Sequence, residues 1–284
     1  MASKNEEIVI TDPVQIADVL NHRLREKGGQ IGSKIKIVDP ETGEVKWEGH
    51  NKVVISGAVF NAMLPFGLPN NNNMTTYNDE LNLDNSVDHG FEVENSPVVC
   101  LFCVDDSGCG STPKDVFTVN FTDRIEPENI FPFRYVDYDN DLDEELRQMY
   151  FGRKTFSDGS DTIAYYFKAF DTDPQLHIRY TDGTQIDPDN LYGGDTSQAA
   201  EVFIEMRLRV NRYDFRDYFD QVLGWDNARI SSLSLCYAWY QDIYEEGEYH
   251  RYFQAITPYT KINFPYNWVV DLDKAIDFIY DIYY

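Results

Sequence analysis

No Lys or Arg lies between Lys52 and Lys114 in this chain, and the imbalance extends beyond that gap. Across all 284 residues 24 Lys and Arg stand against 49 Asp and Glu, a formal net charge of −25. Residues 1–60 carry 8 basic and 9 acidic side chains, so 16 basic and 40 acidic residues fall on the remainder. Such a surface argues against a nucleic acid or an anionic membrane as partner, because both are held through Lys and Arg on phosphate. No window approaches the roughly 18 apolar residues of a membrane-spanning helix. The opening Met1-Ala2-Ser3-Lys4-Asn5-Glu6-Glu7 has neither an apolar segment nor a cleavage pattern, so we read a protein made and folded in a cytoplasm. Four cysteines in a chain of this length do not make a disulfide framework.

Chemical signatures are equally scarce. The five histidines, His22, His50, His89, His177 and His250, stand apart from any nucleophile motif, and neither G-x-S-x-G nor H-E-x-x-H occurs. Gly108-Cys109-Gly110 and Gly193-Gly194 lack the helix and lysine of a phosphate cradle and read as turns. Cys100-Leu101-Phe102-Cys103 with Cys109 has a metal-like spacing, yet residues three apart on a strand point to opposite faces, so these are read as ordinary thiols. Asp137–Glu145 alternates acids as a calcium loop does, but Leu142 holds the place of the turn glycine and Gln148 that of the bidentate glutamate. Asp141 or Asp143 is instead expected at a helix N-terminus. With so many acids, accidental carboxylate pairs abound, and no glycosidase pair is assigned. The expectation is a non-enzyme without catalytic residues, cofactor or metal. A hydrolase acting on an envelope polymer ranks last among the functions considered.

Aromatic residues are what this chain has in quantity. Twenty Tyr and 18 Phe within 42% hydrophobic content suit half-buried pleated sheets and subunit contacts. Asp12-Pro13 opens a predicted helix over 12–27, closed by Gly28-Gly29. Segments 34–38 and 45–49 flank Asp39-Pro40-Glu41-Thr42-Gly43-Glu44 as a hairpin, and 53–64 reads as a buried helix. Further strands are expected at 98–104, 116–121, 163–170, 176–180, 202–210 and 229–240, with the last in a central position. Short helices are expected at about 141–150 and 213–223. At the C-terminus Ile276, Phe278, Tyr280, Ile282 and Tyr284 alternate with Asp277, Ile279, Asp281 and Tyr283. An aromatic terminus of this kind has to be buried in a sheet or pressed against a neighbouring chain.

The pattern gives a mainly β protein, an antiparallel β-sandwich of jelly-roll-like character with a few short helices. Its expected parts are an N-terminal α/β region (1–66) that packs onto the sandwich or supplies strands to it, an Asn-rich acidic loop (67–96), and the main domain (97–284). A loop that long is uncommon inside a compact domain and suggests disorder or a partner.

Three segments carry a family resemblance. His50-Asn51-Lys52-Val53-Val54-Ile55-Ser56-Gly57, the run Ile230–Tyr240, and Thr260-Lys261-Ile262-Asn263-Phe264-Pro265 before the final strand resemble an arrangement in virion proteins of tailed bacteriophages. The resemblance spans about residues 50–284 and rests on spacing and hydrophobic character. It implies a structural part of the neck, tail or baseplate, synthesised in the host cytoplasm, located in the virion and bound to other virion proteins in a symmetric oligomer. It brings no active-site residues. Candidate interface residues are Asp79, Glu80, Asp84, Asp88, Glu92 and Glu94 in the acidic loop and Phe278, Tyr280, Tyr283 and Tyr284 at the terminus. The alternative is a carbohydrate-binding sandwich used in host-receptor adhesion, with Tyr244, Tyr249, Tyr252 and Trp268 at expected loop positions as sugar platforms.

Overall fold

The computed structural model describes residues 33–54, 56–57, 60–61, 76–84, 97–158, 160–180, 183–186, 200–211, 213–225, 228–245, 248–266 and 275–283. The expected helix at 12–27 lies outside them. Two antiparallel sheets pack face to face, so the chain is a β-sandwich. The strands are β1 (Ser33–Val38), β2 (Val45–Gly49), β3 (Lys52–Val53), β4 (Val98–Asp105), β5 (Arg134–Asp137) and β6 (Tyr150–Asp158), followed by β7 (Ser160–Ala169), β8 (Gln175–Tyr180), β9 (Ala200–Val210), β10 (Ser232–Glu245), β11 (Glu248–Asn263) and β12 (Ile276–Tyr283). The first sheet has the order β2-β1-β12-β9-β8. The second runs β3-β11-β10-β4-β7, with β5 and β6 both paired to β7.

The chain terminus forms the middle of the first sheet. Phe278 is opposite Ile37 on one side and Leu208 on the other, and Tyr280 is opposite Ile35 and Met206. Alternation puts Ile276, Phe278, Tyr280 and Ile282 on the inner face, where all four are buried against the second sheet. The terminal strand is thus held within its own chain. The N-terminal hairpin supplies β1 and β2 to this sheet, so residues 33–49 belong to the sandwich. Their turn is closed by Asp39, whose side chain accepts from the Glu41 and Thr42 amides, and by Gly43 at φ +71°.

β10 lies between β11 and β4, as its two apolar faces predict. Leu233, Leu235, Tyr237 and Trp239 point into the sandwich core. Cys236 and Ala238 lie in a second core with Leu101, Cys103, Tyr77 and Leu81. For residues 76–84 that second core corrects the reading of 67–96 as a loop without its own fold; the rest of 67–96 lies outside the described residues. Thr76 caps a helical turn, α1 (Tyr77–Leu81), and residues 76–84 close over the outer face of the second sheet. The Tyr77 hydroxyl donates to the Ile125 carbonyl at 2.7 Å, and the Asn78 side chain accepts the Ile256 amide at 2.6 Å.

Other expectations shift. Residues 117–120 form no strand, and Val116 makes a single bridge to Cys109. The helix at 141–150 shrinks to α2 (Glu144–Arg147), N-capped by Asp143, because Tyr150 already belongs to β6. Residues 216–223 are helical, as α3 (Arg216–Tyr218) and a wider turn at Phe219–Leu223 ended by Gly224 at φ +75°. Of the helix expected at 53–64, residues 56–57 and 60–61 are helical.

Candidate functional site

The acidic residues nominated as a docking face are already engaged where the structure describes them. Asp79 is exposed on α1 and accepts from the Thr76 hydroxyl at 2.8 Å. Glu80 receives both terminal nitrogens of Arg124, at 2.8 and 2.6 Å. Asp84 takes Arg153, the Thr155 hydroxyl at 2.5 Å and the Thr155 amide at 3.2 Å. Glu80 and Asp84 are therefore neutralised by arginines of the same chain. Asp88, Glu92, Glu94 and Tyr284 lie outside the described residues. Phe278 and Tyr280 are 1% and 0% exposed within the chain's own core, which removes them as partner contacts. Tyr283 sits on the outer face, its ring 5.0 Å from that of Phe203, which in turn stacks on His177.

The thiol reading meets a pairing that sequence distance concealed. The Cys103 and Cys236 sulfurs lie 4.0 Å apart between β4 and β10, and burial pushes the Cys103 thiol well up. Cys100 is pushed up for the same reason. The Cys109 sulfur donates to the Thr112 carbonyl at 3.1 Å.

Within the calcium-like stretch, Asp141 is the centre of a hydrogen-bond network drawn mostly from outside it. Its carboxylate receives Tyr165 at 2.7 Å, Arg147 at 2.7 Å, Arg153 at 3.2 Å and the Leu142 amide at 2.7 Å. Burial works to raise its pKa, and these donors together outweigh burial and hold it below the usual carboxylate value. Tyr165 is pushed up to about 12, first by burial and then by its bond to Asp141.

This network backs the wall of an open-mouthed cleft of about 120 Å³ between residues 78–84, α2, β6 and β11. Its polar lining includes Asn78, Asp84, Arg147, Gln148, Arg153 and Gln254, and its aromatic lining includes Tyr150, Phe151, Tyr252 and Phe253. Two backbone irregularities frame it. Gly152 adopts φ +70°, and a Cβ there would stand 2.4 Å from Phe167. Ala255 adopts φ +51° where the pairing of β10 and β11 shifts register. Asn78 pins the following amide, that of Ile256, so the irregularity is braced from the far wall. Neither feature carries a sequence pattern distinctive enough to reveal it beforehand.

Tyr252 is therefore a cleft residue within β11 rather than a loop platform. Tyr244 and Tyr249 are register partners near the end of the β10–β11 hairpin, and Trp268 lies outside the described residues. That hairpin has an unusual extent. β4 accompanies β10 only as far as Ala238 opposite Val98, whereas β10 and β11 stay paired out to Glu245 and Glu248. Among the described residues β10 and β11 pair only with each other over 240–245, a two-stranded ribbon of roughly 20 Å at about 3.3 Å per residue. Tyr244 is 61% exposed there. A broader groove elsewhere is lined by Tyr135, Phe156, Tyr166 and Tyr218, with Arg124 and Glu80 at its side.

In comparisons with known proteins, no family model, no curated protein and no solved structure matches this chain.

Proposed function

We propose that this chain is a structural component of a tailed-bacteriophage virion, in the neck, tail or baseplate, and acts through contacts with other virion proteins. The observation that carries the reading is the β10–β11 ribbon. A two-stranded ribbon is marginally stable alone in water, and strand edges without a pairing strand, as these are among the described residues, invite another chain. Its composition fits burial against a partner, because Tyr240, Ile243, Tyr244 and Tyr249 are interspersed with Asp242, Glu245 and Glu248.

The spatial relation of the resembling segments adds support. β3, from the 50–57 segment, pairs with β11 at Thr260 and Lys261, and β11 pairs with β10 from the 230–240 segment. The Ser56 hydroxyl bonds the Pro258 carbonyl, and a Cβ on Gly57 would stand 2.1 Å from the Tyr259 carbonyl oxygen. The segments that resemble virion proteins thus form one contiguous block from which the ribbon extends.

Mass spectrometry of density-banded particles from the phage that encodes the chain tests this reading. The expected result is the chain at a stoichiometric copy number, lost from particles when residues 241–252 are replaced by a short Asn-Gly turn. Particles that lack the full-length chain, or incorporate the shortened one equally well, refute it.

A further inference from the structure

We propose that the cleft between residues 78–84, α2, β6 and β11 is a binding site for one unit of a neutral saccharide, a function separate from assembly through the ribbon. The lining combines two kinds of group that a sugar ring requires together. Planar side chains with paired donors or acceptors, Asn78, Gln148, Arg153 and Gln254, suit adjacent hydroxyls, while Tyr252 and Phe253 offer apolar surface for the C–H face of the ring.

The polar wall is fixed before any ligand arrives. Arg153 is held by Asp84, Asp141 and the Thr155 hydroxyl, and Arg147 is held by Asp141. Such bracing lowers the ordering cost of binding. The aromatic side is fixed as well, because the Phe253 ring meets Phe151 edge-on with centroids 4.5 Å apart. The positive-φ residues Gly152 and Ala255 lie on the two strands that line the cleft, and the amide that follows Ala255, that of Ile256, is held by Asn78. Irregular strand backbone of this kind is enriched beside binding sites, where it aims side chains that regular pleating would turn away.

Charge balance selects the class of saccharide. The guanidiniums of Arg147, Arg153 and Arg251 are matched by the carboxylates of Asp84, Asp141 and Glu144 at or directly behind the wall. A cleft with no surplus positive charge, in a chain of net charge −25, does not favour a uronate or sialyl ligand.

Saturation-transfer NMR on the intact chain tests the proposal, with methyl glycosides of glucose, galactose, mannose, N-acetylglucosamine and N-acetylgalactosamine, neutral oligosaccharides built from them, and sialyl and glucuronyl counterparts as probes. Calorimetry then gives the affinity of whichever sugar binds. The expected result is binding of at least one neutral sugar, weakened about tenfold or more in Tyr252→Ala and in Gln254→Ala and unchanged in Tyr244→Ala. Gln254→Ala carries the test alone should Tyr252→Ala fail to fold. Absence of transfer from every neutral probe at millimolar concentration overturns the proposal. So does binding restricted to the acidic sugars, or binding that both cleft variants retain.

Discussion

Replacing Lys168 by Met should destabilise the sandwich by a large share of its total stability. Lys168 is on β7 with its side chain 2% exposed, and its ammonium donates to Asp214 at 3.0 Å and to the Arg209 carbonyl at 2.6 Å. Asp214 is fully buried and also receives the Tyr150 hydroxyl at 2.6 Å and the Asn211 amide at 2.7 Å. The pair fastens β7 to β6 and to the turn after β9. Burial, and then the neighbouring Asp214, push the Tyr150 hydroxyl well up, so it stays a donor at any ordinary pH. Met fills the volume of Lys but leaves a buried carboxylate without its cation, a change that costs about 3–5 kcal/mol. Against a typical total of about 5–15 kcal/mol this moves the unfolding midpoint far down. Adding Asp214→Asn removes the orphaned charge while keeping shape and an acceptor oxygen, so the double variant should recover roughly 1–3 kcal/mol over Lys168→Met alone. Urea titrations followed by tryptophan fluorescence, compared at unchanged slope, read both differences. A loss below about 1 kcal/mol for Lys168→Met, or a further loss on adding Asp214→Asn, would refute the reasoning.

The remaining predictions concern the C-terminal strand, one glycine and pH. Ending the chain before Phe278 removes Phe278, Tyr280 and Ile282 from the core at roughly 1.5–3 kcal/mol each and takes the central strand from the first sheet, so calorimetry should show no cooperative transition. Gly152→Ala meets both a positive φ and the Phe167 ring, and its urea midpoint should fall by a stability equivalent of about 1–3 kcal/mol. Because Asp141 is held below its ordinary pKa, its contribution is fully present above about pH 4 and is lost as pH falls through the depressed folded value. The melting-temperature gap between the native chain and Asp141→Asn should accordingly be open at neutral pH and close in acid, and a gap constant across that range would contradict the assignment.

Much of the fold was legible because period-two alternation depends only on side chains along one strand. The runs 202–210 and 276–283 declared themselves this way, 98–104 did so through an unbroken apolar composition, and Asp39 and Gly43 marked the turn between 34–38 and 45–49 through local chemistry. The reading failed where a segment's structure depends on what lies across from it. Residues 150–158 and 248–263 are polar and aromatic in irregular order, and they become strands because β7 and β10 supply their hydrogen-bond partners. Likewise, 76–84 has no strong local signal and is ordered by the apolar outer face of the second sheet. The candidate cleft follows the same logic. Composition determined an acidic, aromatic chain, and alternation with turn chemistry pointed to an antiparallel sandwich. Which residues meet, Asp141 with Arg153, Asn78 with the Ile256 amide, Lys168 with Asp214, was decided by tertiary structure, because charge pairing and burial act across space between positions whose separation along the chain carries no signal.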